Sequence, residues 1–173
     1  MTSIAWGITG AGHFLRECVN LILELDDVDV FLSQAAEEVL RMYRLEDDLR
    51  RATAAVARDT LVSAPIVGRF ARSRYRVLVI APATSNSVAK FVYGVSDSLI
   101  TNLFAQAGKN RVPIIVLPTD VASEMDSVAP RGKAIKVYPR AIDLENTAKL
   151  REFTGVTVVE NLEGLRECLT TYS

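Results

Sequence analysis

The densest run of hydrogen-bonding side chains in this sequence is Ala81-Pro82-Ala83-Thr84-Ser85-Asn86-Ser87-Val88-Ala89-Lys90. An apolar stretch runs into Pro82. Consecutive hydroxyl and amide side chains then open a segment that carries a lysine. Such a cluster suits capture of a polar ligand through several donors, and equally suits the capping of a helix. A second candidate is Gly7-Ile8-Thr9-Gly10-Ala11-Gly12. Small residues let the backbone approach a phosphate, and a helix that follows at once offers free N–H groups and partial positive charge. A tight strand-to-helix turn without a ligand is the alternative. The run is not a dinucleotide fingerprint: counted from Gly10, the third glycine position is Leu15, and Asp29 is a poor match for the ribose-binding acid. Ser33, at the end of another apolar run, is either a phosphate donor or a helix cap. Gly94-Val95-Ser96-Asp97-Ser98-Leu99 opens a further helix in the same manner.

These residues need elements to hold them. Apolar, β-branched runs at residues 4–9, 28–33, 76–81, 112–117, 134–138 and 156–160 read as strands. Helical spacing marks 14–25, 34–43 with a continuation through 44–57, 85–92, 97–108, 143–153 and 162–169. Asp97 is expected to cap the helix that Gly108 ends. Residues 64–74 read as a connection, and 119–132 as a loop with room for one helical turn. Strands alternate with helices from end to end, and several strands are continuous apolar runs, the mark of strands buried on both faces. The expectation is an α/β fold: one domain over residues 1–173, Rossmann-like and doubly wound, with a mostly parallel sheet in a three-layer arrangement with helices on both faces. Ligands in such sheets bind beyond the carboxyl ends of the strands, where the connection order reverses.

Composition narrows the function classes. Of 173 residues, 49% are hydrophobic and 24% charged, which excludes a disordered chain. Twenty basic and 21 acidic residues give a net charge of −1, so a general nucleic-acid binder is not expected. Two cysteines form no disulfide scaffold, and one histidine excludes a His-rich metal site. Cys18 and Cys168 fall on apolar helical stripes and read as packing residues. No run approaches the ~20 apolar residues of a membrane helix, and the N-terminus lacks a signal-peptide pattern, so no membrane contact and a cytoplasmic location are expected. Two cationic stretches, Arg69/Arg72/Arg74/Arg76 and Arg131/Lys133/Lys136/Arg140, are either solvated surface or docking sites for an acidic partner.

The Pro82–Lys90 segment resembles the Pro-Ala-Ser-Ala-Asn-Thr-x-Ala-Lys signature of the homo-oligomeric flavin-containing cysteine decarboxylase superfamily. Thr84 and Ser85 fall at its Ser and Ala positions, Asn86 at its Asn and Ser87 at its Thr, while Ala89 and Lys90 match outright. The turn at 7–12, Ser33 and the segment 94–99 support it in the right order. Within the superfamily the chain is similar to the branch of archaeoflavoproteins and acceptor-dependent dihydromethanopterin reductases. Ala5-Trp6-Gly7-Ile8-Thr9-Gly10, Val116-Leu117-Pro118-Thr119-Asp120 and Lys136-Val137-Tyr138-Pro139-Arg140 carry that likeness.

The resemblance implies FMN. Gly10, Ala11 and Gly12 would pack against the ribityl phosphate end, with Ser33 donating to the phosphate. Thr84, Ser85, Asn86 and Ser87 would line the isoalloxazine and ribityl chain. Thr119 and Asp120 would face the flavin from another strand end, and Lys90 would balance the phosphate or position the turn. Decarboxylases of the superfamily carry a histidine in the middle third and a later Pro-x-Met-Asn-type clamp. Here the only histidine is His13, and Pro118 is followed by Thr119-Asp120-Val121-Ala122. The Arg-Glu-Thr-Pro of the prenyl-transferring relatives is absent too. What the resemblance then implies is an FMN oxidoreductase reducing dihydromethanopterin or a related pterin to the tetrahydro form, with electrons from NAD(P)H or a donor protein. An electron carrier accepting electrons from ferredoxin is the second reading, and a decarboxylase with a relocated acid–base group the third. No proton donor is assigned among Tyr93, His13 and Asp120. A homo-oligomer built from trimers, with FMN at subunit interfaces and the trimers forming a larger shell, is implied as well.

Overall fold

The computed structural model describes residues 4–52, 56–59 and 74–172. In chain order it runs β1 (Ile4–Ile8), α1 (Leu15–Leu23), β2 (Val28–Leu32), α2 (Gln34–Met42), α3 (Glu46–Ala52), β3 (Val56–Arg58), β4 (Val77–Ala83), α4 (Ser85–Tyr93), α5 (Leu99–Lys109), β5 (Ile114–Pro118), β6 (Met125–Val128), β7 (Ala134–Val137), α6 (Ala141–Leu150), β8 (Val156–Val158) and α7 (Leu162–Leu169). A six-stranded sheet has the order β3-β2-β1-β4-β5-β8. Every pairing in it is parallel, as the continuous apolar strands predict. The order grows outward from β1 in one direction and from β4 in the other, so the switch point lies between these two strands.

Side chains alternate across the sheet. Ile4, Trp6 and Ile8 of β1 join one core with residues of α1, α2, α3 and α7. Ala5, with Phe31, Leu78 and Ile80, joins the other core, filled by α4, α5 and Leu150 of α6. Helices thus cover both faces, and burying a side chain such as Trp6 or Phe31 contributes ~1.5–3 kcal/mol.

Several boundaries differ from the sequence-based expectation. The helix expected to run through residue 57 ends at Ala52, and Val56–Arg58 pairs with β2 as an edge strand. Tertiary pairing overrides helical spacing there. Strand β4 does not stop at Pro82 but continues to Ala83, with a register shift between Ile80 and Ala83. Ser98, not Asp97, caps α5: its hydroxyl accepts from the Thr101 N–H, and the Thr101 hydroxyl returns to the Ser98 backbone. Gly108 lies inside α5, which ends at Lys109. The expected loop at 119–132 contains β6, which pairs antiparallel with β7 as a separate hairpin. The connection expected at 64–74 lies outside the described residues except for Arg74. Cys18 is fully buried, as expected, and burial pushes its thiol pKa far up, so it stays a neutral packing group. Cys168 is half-buried against the same core.

Candidate active site at the β1/β4 switch point

Two strand ends are stitched together at the switch point. The buried Thr9 hydroxyl donates to the Pro82 carbonyl at 2.9 Å and accepts the Thr84 N–H at 2.9 Å. The Thr9 N–H reaches the same carbonyl at 3.2 Å, and the Trp6 indole donates to Ala81 O at 2.7 Å. The Thr119 N–H donates to Ala83 O at 2.9 Å, which joins the end of β5 to the other two. Gly10–Gly12, Thr84–Asn86 and Thr119–Asp120 are therefore held at one edge of the sheet.

All of these except Gly10 line a cavity of about 390 Å³. Its floor is Ala11, Gly12, Thr84, Ser85 and Asn86, with Thr119 and Asp120 on a flank. Met125, Ser127, Ile135 and Val137 of the hairpin face them, and His13 and Tyr43 close one side. The remaining sequence-derived candidates do not line this cavity. Ser33 caps α2, accepting the Ala36 N–H at 3.1 Å. Gly10 sits against α2, where a Cβ would stand 2.5 Å from the Ala35 Cβ. Thr84 caps α4 by accepting the Ser87 N–H at 3.2 Å, and the Thr84 and Ser87 hydroxyls are 3.0 Å apart. Lys90 chelates Asp97, with both carboxylate oxygens at 2.8 Å, across the Gly94 turn. Tyr93 is exposed and bonded to Lys149 at 3.2 Å, away from the cavity.

Sequence reasoning missed Tyr43 and the hairpin. Gly12 allows the Tyr43 hydroxyl to come in closely, since a Cβ there would collide with it. That hydroxyl donates to Val128 O at 2.8 Å, and His13 Nδ1 lies 3.1 Å from Ser127 Oγ. Two side chains from the sheet side thus tether the hairpin. Met125 and Ser127 are half-buried and Asp126 and Val128 exposed, an alternation that the residue types Met-Asp-Ser-Val do not show. Asp29, the weak match for a ribose acid, sits near the start of β2 and accepts from the Tyr75 hydroxyl at 2.6 Å and from Arg74 at 3.2 Å.

Asp120 is braced from behind. Its carbonyl accepts the Thr147 hydroxyl at 3.2 Å. Buried Asp143, held below the ordinary carboxylate pKa by the Arg140 guanidinium at 2.7 Å, also engages Ser85. Burial lowers the pKa of His13 below its ordinary value, against the opposing pull of Glu17 and Asp120. His13 Nε2 is buried with no partner among the described residues. The N–H groups of Gly10 and Gly12 likewise meet no acceptor there. The edge of the sheet therefore offers two free backbone donors and an orphaned imidazole nitrogen beside a cavity lined with hydroxyls. No group of His, Cys, Asp and Glu among the described residues has a metal-binding arrangement.

A doubly wound parallel sheet with a polar cavity at its switch point defines a ligand-binding α/β protein of the Rossmann-like class. The model of the Flavoprotein family matches residues 1–170, and the chain belongs to that family. An uncharacterized protein of Methanocaldococcus jannaschii is 35% identical over 176 residues, covering 98% of this chain and 95% of that one. The dihydromethanopterin reductase (acceptor) of Methanosarcina mazei is 45% identical over 140 residues; the match covers 73% of this chain but 59% of the relative's length. Among solved structures, Burkholderia xenovorans DmrB in complex with FMN, described as a cubic protein cage for redox transfer, aligns with a TM-score of 0.88 and 41% identity. That alignment covers 98% of this chain and 94% of DmrB. Among the described residues no helix is long and apolar enough to cross a membrane.

Proposed function

We propose that this chain is an FMN-dependent oxidoreductase that reduces dihydromethanopterin, or a related pterin, to the tetrahydro form. The observation that carries the reading is a switch-point cavity lined by Ala11, Gly12, Thr84, Ser85, Asn86, Thr119 and Asp120, in a chain that aligns along 98% of its length with the FMN-bound DmrB. The free N–H groups of Gly10 and Gly12 and the unpartnered His13 Nε2 fit a polar cofactor. When bound, FMN supplies hydride or single-electron transfer at its ring system.

The residues divide the work. Gly10, Ala11 and Gly12 would hold the phosphate end, and Ser33 sets the α2 N-terminus beside Gly10. Thr84, Ser85 and Asn86 would present hydroxyl and amide groups to the ribityl chain and ring, while Ser87 fixes the Thr84 hydroxyl. Thr119 and Asp120 form the wall braced by Thr147 and Asp143. Lys90 acts on the turn through Asp97. The hairpin residues Met125, Ser127, Ile135 and Val137 would shield a bound flavin ring from water. Electrons come from NAD(P)H or from a donor protein such as ferredoxin. The chain functions as one domain in the cytoplasm and assembles as a homo-oligomer of trimers in a larger shell. Exposed Tyr93, Val95, Tyr138 and Ile142 supply apolar surface for that assembly.

An absorbance spectrum of the purified protein tests the cofactor, and reduction in turn by NADPH, NADH and reduced ferredoxin tests the donor. Reoxidation of the reduced flavin by dihydromethanopterin, with the tetrahydro product recovered, is the expected result. A colourless protein that takes up no added FMN overturns the reading. Reduction by ferredoxin without pterin turnover replaces it with an electron carrier.

A further inference from the structure

Among the described residues some cations are held in ion pairs and others are not. Lys90, Lys136, Arg140, Arg151 and Arg166 each lie within ion-pair distance of a carboxylate. Arg16, Arg44, Arg131 and Lys133 enter no ion pair among the described residues, yet all four line one groove of about 840 Å³ whose walls carry no carboxylate. The second basic stretch of the sequence is thereby split. Lys136 is held by Glu124 and Asp126 and Arg140 by Asp143, while Arg131 and Lys133 turn to the groove.

The backbone that presents these side chains is well defined. Arg131 and Lys133 sit on the β6–β7 turn, closed by Ala129 N–H to Lys133 O at 2.9 Å and Gly132 N–H to Ala129 O at 2.8 Å. Gly132 takes the left-handed conformation that the turn needs, at φ +81°. Arg16 leans on the Tyr43 carbonyl at 3.4 Å, and Arg44 follows Tyr43 directly with φ +57°. Tyr43 is the shared wall: it lines the groove, the switch-point cavity and a third cavity of about 310 Å³. That third cavity shares Gly12, His13 and Ser127 with the switch-point site, and Arg16 and Pro130 with the groove. It also carries two acids, Glu17 and Asp126. A continuous channel of surface therefore leads from four unpaired cations to the reacting cavity.

Four like charges gathered without counter-charges repel one another, and an anion with several phosphate oxygens relieves that repulsion through charge-assisted hydrogen bonds. We infer that the Arg16/Arg44/Arg131/Lys133 groove is a binding subsite for the phosphate-bearing tail of the flavin's redox partner, with Tyr43 separating tail from reacting ring. This rests on the FMN reading only for what the tail is attached to; the anion site itself stands on the groove. The shared chemistry is a phosphate or pyrophosphate group. A phosphorylated nicotinamide and a phosphate-tailed pterin are its two sources.

Isothermal titration of the purified protein, with and without added FMN, is made with pyrophosphate, NADP⁺ and NAD⁺ at low and at raised salt. The R131Q/K133Q double variant is compared with Lys109→Gln, which removes an exposed lysine at the end of α5 that enters no ion pair among the described residues. Pyrophosphate is expected to bind, to weaken as salt rises, and to lose about tenfold or more in affinity in the double variant, corresponding to ~1.4 kcal/mol or more. Lys109→Gln leaves it unchanged, as does FMN content in all three proteins. Displacement of pyrophosphate by NADP⁺ or NAD⁺ identifies a nicotinamide as source, with NADP⁺ tighter where the 2′-phosphate is also held; pyrophosphate that neither dinucleotide displaces identifies another phosphate tail. Pyrophosphate that fails to bind, or binds the double variant as well as the parent, overturns the proposal. Loss of FMN in the double variant also overturns it, because the groove would then hold the flavin phosphate. So does a ferredoxin whose electron transfer slows in the double variant while no small anion binds. A protein that binds pyrophosphate but never FMN would retain the subsite and refute the flavin reading alone.

Discussion

The two walls of the candidate site are built to different standards. The floor, at the ends of β1, β4 and β5, is locked by buried hydrogen bonds of 2.7–2.9 Å from Trp6, Thr9 and the Thr119 N–H. The opposite wall is a two-stranded hairpin whose residues are half-buried or exposed, tethered by Tyr43 to Val128 and His13 to Ser127. An isolated two-stranded hairpin is marginally stable in water, so the tethers and the sheet below must hold it. A fixed floor can orient a cofactor, while a weakly held wall can admit and release a substrate.

The largest effect should come from breaking the floor where backbone meets backbone. In Gly10→Val the new side chain meets Ala35, whose Cβ stands 2.5 Å and carbonyl carbon 3.2 Å from the first added atom. Helix α2 must shift, at ~1–3 kcal/mol. Loss of FMN retention together with a lower Tm is expected, read by flavin absorbance after desalting and by thermal denaturation. Next is Thr9→Val, which removes the hydroxyl shared by Pro82 and Thr84. Leaving buried partners unsatisfied costs ~1–3 kcal/mol, or a Tm lower by about 2–4 °C per kcal/mol at this chain length. A Tm equal to the parent's would mean the two strand ends do not depend on this bridge.

The hairpin side should respond differently. Tyr43→Phe deletes only the bond to Val128 O. Global Tm should hardly move, while amide exchange in β6 and β7 quickens by about fivefold, the equivalent of ~1 kcal/mol. If exchange is unchanged, the tether carries no weight. The smallest effect is a pH dependence. Burial holds the folded-state pKa of His13 below its ordinary 6.5. The unfolded chain therefore binds the proton more readily, and the stability present above pH 6.5 is lost as pH falls towards the folded-state pKa. His13→Gln should flatten this part of the stability-against-pH curve. A decline of the same slope in the variant would assign it to other groups.

Much of this was legible in the residues. Continuous apolar strands announced a parallel sheet because only strands covered on both faces can be apolar throughout. Consecutive small or hydroxyl residues just past β1 and β4 marked the switch point, since those positions must turn sharply and satisfy helix N-termini. Ser33, Thr84 and Ser87 show the limit of that signal: a hydroxyl that caps a helix and one that meets a ligand have the same sequence signature. The hairpin was not legible, because Met125–Val128 is short and its residue types do not alternate, and its pairing partner supplies what its own propensity does not.

By itself, then, the chain's order of apolar and small residues determined the layers, the parallel sheet and the edge at which a ligand must sit. These follow from local periodicity and from backbone donors that need partners. Only the tertiary structure decided which cations are spent on neighbouring carboxylates and which four face a common groove. It also placed Tyr43 and His13 against a hairpin 85 and 114 residues further on. Charge pairing and side-chain tethering depend on distances between segments remote in the chain, which no local pattern encodes.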